Sequence, residues 1–392
     1  MILKAFGRRW PCHRSVLSQS NFFCTLLNGS FKESKLKEVD IKLGGDDLIN
    51  ETSFQNLLDI MYNRRMTFSS DDIFHITVTA QYFQMNEIVD FCEEKIFEMT
   101  RSSNAIDFYH FADQYFLKKT KENVFLWMLL RLFPVKRWEE LNLLTIELAE
   151  RLISHSRLVT QNETYLYTVL KMLIQIDMNG TCVQDNESFY SMIRENSVEF
   201  LRTSEGSKFA KCFQSLRLNN IIVTKENIEM LLRDNIIPRS AIDSSIFSNW
   251  MSLISIESPE NFGPTLEIIT KEEFEIHAMR FAKTIYSPDF HSWKFIGFSF
   301  AFDLALFFDG RTLIIKRVHQ INEHKVSHSH LLRRIMLRFD ISEVNSSSIK
   351  RQSEIHCITL ATNEEICLKQ LKKELTYPCR VSIEVLFHVP YK

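Results

Sequence analysis

The chain has 392 residues, 45% hydrophobic and 24% charged, with 47 Lys and Arg against 49 Asp and Glu. That length accommodates two or three domains with real cores, and a net charge of −2 argues against a partner held mainly through phosphate contacts. Glycine is scarce at nine residues, and no G-x-x-x-x-G-K or G-x-G-x-x-G occurs, which argues against a standard phosphate-cradling loop.

The eight cysteines, Cys12, Cys24, Cys92, Cys182, Cys212, Cys357, Cys367 and Cys379, are scattered and never form C-x-x-C. That is the usage of a reducing compartment. Lys4, Arg8 and Arg9 interrupt any N-terminal apolar run, and Ile2 leaves no myristoylation site. The longest apolar stretches, Val124–Val135 and Phe295–Phe308, are too short to span a bilayer and contain Arg131 and Asp303. A soluble intracellular protein is expected.

In chain order, Ile2–Phe6 and Arg8–Cys12 flank Gly7 and suggest a hairpin. The stretch His13–Ser34, HRSVLSQSNFFCTLLNGSFKES, reads as one buried helix. Val16, Leu17, Phe23 and Leu27 form its stripe, and Asn28-Gly29 its stop. Phe31-Lys32-Glu33 then projects an apolar residue and a carboxylate from a turn. Val39–Leu43 alternates as a strand. Three helices follow, carried by Phe54, Leu57, Leu58 and Met61, by Ile73, Ile76, Ala80 and Phe83, and by Ile88, Phe91, Cys92 and Ile96.

From Asn104 to about Asn249 the pattern is helical nearly throughout. Ala105, Phe108, Tyr109, Ala112 and Phe116 form one stripe, and Phe125, Met128, Leu129 and Leu132 the next, ended by Pro134. Thr145–Ile153, Glu163–Ile176, Glu187–Leu201, Lys208–Leu218 and Lys225–Arg233 are further helices, with a polar break over Asn179–Asn186. Past Pro259 the period switches to two. Phe298 to Leu306, Ile335 to Ile341 and Val381 to Val389 alternate, and Asp309-Gly310 signals a hairpin turn. No repeat of kelch length is visible. The fold class is α+β multidomain: an α+β unit over 1–98, a helical stack over 99–250, and an antiparallel β domain over 260–392, either a sandwich or a partly closed barrel.

Candidates for chemistry are few. His319, His324, His328 and His330 cluster with Glu323, but no cysteine or carboxylate pair nearby completes a tetrahedral set, and a solvated loop is the expected reading. No G-x-S-x-G, H-E-x-x-H or recognisable cysteine nucleophile motif occurs. The alternating aromatic strand reads as core, whereas Trp293 and Phe295 at its start are candidates for contact with a target.

His13 with Ser-Val-Leu, then Asn-Phe-Phe, then Phe-Lys-Glu-Ser, resembles the centre of a BTB (POZ) domain. GRRWPCHRSVLSQSNFF (7–23), EGSKFAKCFQSLRLNNII (205–222), IIP (236–238), HAMRFAKTI (277–285) and SWKFIGFSFAFDLALFFDGRTLIIKR (292–317) are similar, in the same order, to the germ cell-less family of BTB–BACK proteins. The resemblance implies a BTB domain over 1–98, a BACK-like helical domain over 99–250 and a germ cell-less-type β domain over 260–392. It implies a non-enzymatic substrate-recognition adaptor of a Cullin-3 ubiquitin ligase, with Phe31, Lys32, Glu33 and Tyr62 meeting the cullin. The β domain would meet a target protein, with Trp293 and Phe295 the candidate residues. A role in germ-cell development and a place in the nucleus, at the nuclear envelope, come with it; the cytoplasm is the alternative compartment. The alternative function is a nuclear-envelope scaffold or tether without ubiquitin transfer. No cofactor, metal, nucleic acid or membrane insertion is expected. The chain starts at about the first strand, so the helix that pairs two BTB copies in the family is expected to be absent, and a homodimer through it is not expected. Leu173, in YLYTVLKMLI, stands where related sequences carry Trp.

Overall fold

Phe6 and Gly7 both take left-handed backbone, φ 55° and 71°, and make the two-residue turn of a hairpin. It joins β1 (Ile2–Ala5) to the antiparallel β2 (Arg8–Pro11). This computed structural model describes residues 1–29, 31–43, 45–63, 72–180, 187–256, 262–295, 303–318, 332–344 and 354–388. They divide between Phe125 and Leu126 into two compact units.

In the first unit the single helix expected after His13 is two. α1 (Arg14–Leu17) stops, and α2 (Asn21–Asn28) restarts behind a new cap. Ser20 Oγ accepts from Phe23 N at 3.2 Å and donates to the Phe83 carbonyl at 2.6 Å. Its short polar side chain caps a free N–H in the first turn of α2 and ties that helix start to the C-cap carbonyl of a later helix. The stripe survives the break: Leu17, Phe23 and Leu27 are buried. β3 (Glu38–Asp40) adds to β1 in parallel, giving the order β2-β1-β3. α3 (Glu51–Asn63), α4 (Ile73–Tyr82) and α5 (Asn86–Met99) follow, and Phe23, Phe54 and Phe83 meet in the core, Phe23 stacked on Phe83 at 5.1 Å.

α6 (Ala105–Gln114) and α7 (Lys118–Arg131) repeat α4 and α5, with the same lengths of 10 and 14 residues. The turns repeat as well. Gln84 and Phe116 take φ of 54° and 55°, while Met85 N and Leu117 N reach back to the Ala80 and Ala112 carbonyls, each at 2.8 Å. Both helices thus end in a Schellman turn with a buried apolar residue beneath it. Phe116, expected on a buried stripe, lies past the helix end in the left-handed position and is 82% exposed.

The second unit carries α8 (Ile146–Ser154), α9 (Glu163–Asn179), α10 (Glu187–Glu195), α11 (Ala210–Gln214), α12 (Lys225–Asp234), α13 (Arg239–Ile256) and α14 (Lys271–His277). Thr145, Asn162 and Thr224 cap α8, α9 and α12. The strands are β4 (Met279–Ile285), β5 (His291–Phe295), β6 (Asp303–Phe308), β7 (Thr312–Val318), β8 (Leu332–Glu343), β9 (His356–Ala361), β10 (Glu365–Gln370) and β11 (Cys379–Leu386). They form two antiparallel four-stranded sheets, ordered β4-β11-β8-β9 and β10-β7-β6-β5. Leu304, Leu306, Phe308, Leu313 and Ile315 of one sheet pack with Ile335, Leu337, Val381, Ile383 and Val385 of the other. This is a sandwich rather than a barrel.

The outer face of the β4-β11-β8-β9 sheet is covered by the unit's own helices. Every residue of β11 is buried. Met336 and Leu386 pack with Ile269, Phe274 and Ala278 around α14. Polar side chains on that face are buried in ion pairs. Arg338 donates to Glu384 at 2.7 Å and to Glu275 at 2.9 Å, and Arg280 meets Glu163 of α9. Burial opposes ionisation of Glu275, but the hydrogen bond and charge of Arg338 outweigh it and hold the carboxyl below its usual range. Arg217 donates to the Glu275 and Ala278 carbonyls, closing the end of α14.

Candidate protein-interaction surfaces

The Phe31-Lys32-Glu33 turn is built from both of its sides. Gly29 ends α2, and a Cβ there would meet the Thr25 carbonyl at 2.5 Å and the Phe31 ring at 3.0 Å. Only glycine lets the chain leave the helix so closely. Residues Lys32–Lys35 then form one 3₁₀ turn, with Ser34 Oγ donating to the Phe31 carbonyl at 2.7 Å. Arg14, from α1, donates to the carbonyls of Ser34 at 2.8 Å and Leu36 at 2.9 Å. Phe31 stands 53% exposed at the start of this turn, and Leu36 48% exposed after it. A large ring held in water on a braced turn is an anchor in want of a pocket.

Tyr62 is 40% exposed, and its hydroxyl accepts from His13 N at 2.8 Å and contacts His13 Nδ1 at 3.0 Å. The sequence neighbours His13 and Arg14 thus contact Tyr62 and the Phe31 turn respectively. Sequence reading missed the Arg14 contact. An Arg directly after a helix-capping position, facing two free carbonyls, leaves no periodic signal.

In the second unit, Trp293 is half-buried and packs against the sandwich core, with Lys283 Nζ 5.4 Å over its ring. Phe295 pairs with Leu304 in the sheet, and its side chain lies outside the described residues. So do the histidines at 319–330 and the aromatic positions 298–302. Among the described residues no group of three or more His, Cys, Asp or Glu could hold a metal ion. No helix among them is long and apolar enough to cross a membrane.

The first part of the chain is a hairpin sheet with a parallel third strand and, after the hairpin, helices α1–α5, and it carries an exposed aromatic turn. Residues 1–100 match the BTB/POZ domain. Over nearly its whole length it is similar to germ cell-less proteins. It is 28% identical to Protein germ cell-less of Drosophila melanogaster, across 98% of this chain and 74% of that protein. It is 26% identical to human Germ cell-less protein-like 1, across 99% of this chain and 78% of that protein. A Kelch repeat and BTB domain-containing protein 1 of cowpox virus matches only 41% of this chain, at 28% identity.

Proposed function

We propose that the chain is a substrate-recognition adaptor of a Cullin-3 ubiquitin ligase, without catalytic groups of its own. In this reading the first unit engages the cullin and the sandwich engages a target protein. The observation that carries it is the exposed Phe31 ring beside Glu33 on a turn braced by Arg14 and Gly29. An aromatic anchor next to a charge that fixes register makes a compact hot spot. In this reading Lys32 and Tyr62 add to the cullin contact, and the helices over 99–250 are the BACK-like part. The resemblance to germ cell-less proteins, by itself, supports a role in germ-cell development and a place at the nuclear envelope.

The test is co-purification of Cullin-3 with the full chain and with a Phe31→Ala/Glu33→Lys variant. The wild chain should retain the cullin and the variant should lose it. Equal retention by both would overturn the assignment of this turn.

A further inference from the structure

The loop between β4 and β5, Tyr286-Ser-Pro-Asp-Phe290, links the two sheets at one end of the sandwich. Tyr286 is 76% exposed and Phe290 66% exposed, two large rings in five residues. The loop is nonetheless held. His291 Nε2 lies 3.1 Å from the Ser287 carbonyl, and Phe290 stacks on Phe307 at 5.8 Å. Behind it, Gly310 takes φ 86°, and a Cβ there would lie 2.8 Å from the Tyr377 hydroxyl and 3.3 Å from the Pro288 carbonyl. The loop, the β6–β7 hairpin and Tyr377 are thus in close contact. Rings fixed before binding lose little freedom on binding.

Asp289 and Asp309 are the acidic groups beside them; Arg311, on the same hairpin as Asp309, is paired with Glu374, and Arg380 lies buried near Tyr286. Asp289 sits between Pro288 and Phe290, exposed and without an ion-pair partner among the described residues. Asp309, on the adjoining hairpin, accepts from Arg311 N at 2.9 Å and Thr312 N, and those bonds hold its carboxyl below the usual range. Burial, and then the charges of Cys379, Asp309, Asp289 and Glu374, push the Tyr377 phenol up. Exposed ring faces beside carboxylates that have no ion-pair partner among the described residues complement a cation, because a guanidinium can lie over a ring while it pairs with a carboxylate.

We infer that this end of the sandwich docks a basic, arginine-containing segment of a partner protein, with Tyr286 and Phe290 as ring platforms and Asp289 and Asp309 as charge partners. The inference rests on the reading of the sandwich as the target-binding end, and it names the chemistry of what is bound there.

The test is fluorescence anisotropy on the full chain, using a fluorescein-labelled Arg-Gly repeat nonapeptide and its Glu-Gly counterpart. The Arg-Gly peptide should bind saturably and lose affinity as salt is added, while the Glu-Gly peptide should not bind. Tyr286→Ala/Phe290→Ala should weaken binding about tenfold or more, and Asp289→Lys several-fold. Glu205→Lys, an equal charge change elsewhere on the unit, should leave it unchanged. No saturation up to roughly millimolar peptide would overturn the inference. So would equal binding of both peptides, or the same loss in Glu205→Lys as in Asp289→Lys. Cullin retention by the same variants is to be measured in parallel. It should be unchanged, which separates failure of this surface from failure of the adaptor reading.

Discussion

Arg280 and Glu163 meet side-on, Nε to Oε1 at 2.6 Å and Nη2 to Oε2 at 3.0 Å, with both side chains almost fully buried. The pair ties β4 to the first turn of α9. Removing one member of a buried pair strands the other charge, and the expected loss for Arg280→Ala is about 3–5 kcal/mol. An Arg280→Met/Glu163→Leu double variant should recover most of it, since an apolar pair of similar size carries no desolvation cost. Urea denaturation of the three proteins checks both statements.

That pair also marks where the sequence was legible and where it was not. The alternation of Ile335, Leu337 and Phe339, and of Val381, Ile383 and Val385, located strands whose core face is as expected. Arg338, Arg380 and Glu384 alternate onto the opposite face of these strands, and all three are buried there. Alternation reports that a residue lies on the other face, not what covers that face. α14 was missed beneath the period-two pattern, although Thr270 and Glu273 form a capping box that is visible as T-x-x-E. The repeated turns at Gln84 and Phe116 left the shared Gln-Tyr-Phe of 81–83 and 114–116, offset by one position from the structural equivalence. At the candidate site, Phe31 and Glu33 were readable as an exit from a helix. The Arg14 brace was not, because it joins backbone carbonyls remote in sequence.

Gly29→Ala tests how the turn is built. The backbone at Gly29, with φ −78°, is open to any residue, so the effect is purely steric. The added methyl meets the Thr25 carbonyl and must displace the end of α2 or the Phe31 ring. A destabilisation of about 1–3 kcal/mol is expected, together with faster amide exchange at residues 29–36. Arg14→Ala, which removes two hydrogen bonds to the turn, should accelerate exchange there with a smaller change in global stability.

Buried thiols make stability fall at high pH. Burial pushes Cys212 up to about 12, and Cys92 and Cys379 up to about 11. Well below pH 9 each thiol is protonated whether the chain is folded or unfolded. Above that, the unfolded chain ionises first and holds fewer protons, so the folded state loses stability until its own thiols titrate. Denaturation midpoints should therefore decline from about pH 9 upward. In the native protein at pH 8, iodoacetamide should label the exposed Cys367 and spare Cys92, Cys212 and Cys379. Mass spectrometry after a short pulse reads the order directly.

In the proposed function the first unit binds Cullin-3 through the Phe31 turn. Calorimetric titration of the purified full chain with the cullin's N-terminal region tests it most directly. Saturable binding is expected, and Phe31→Ala/Glu33→Lys should weaken it by on the order of 30- to 1000-fold, about 2–4 kcal/mol, without moving the thermal midpoint. No binding by the wild chain, or undiminished binding by the folded double variant, would contradict the account.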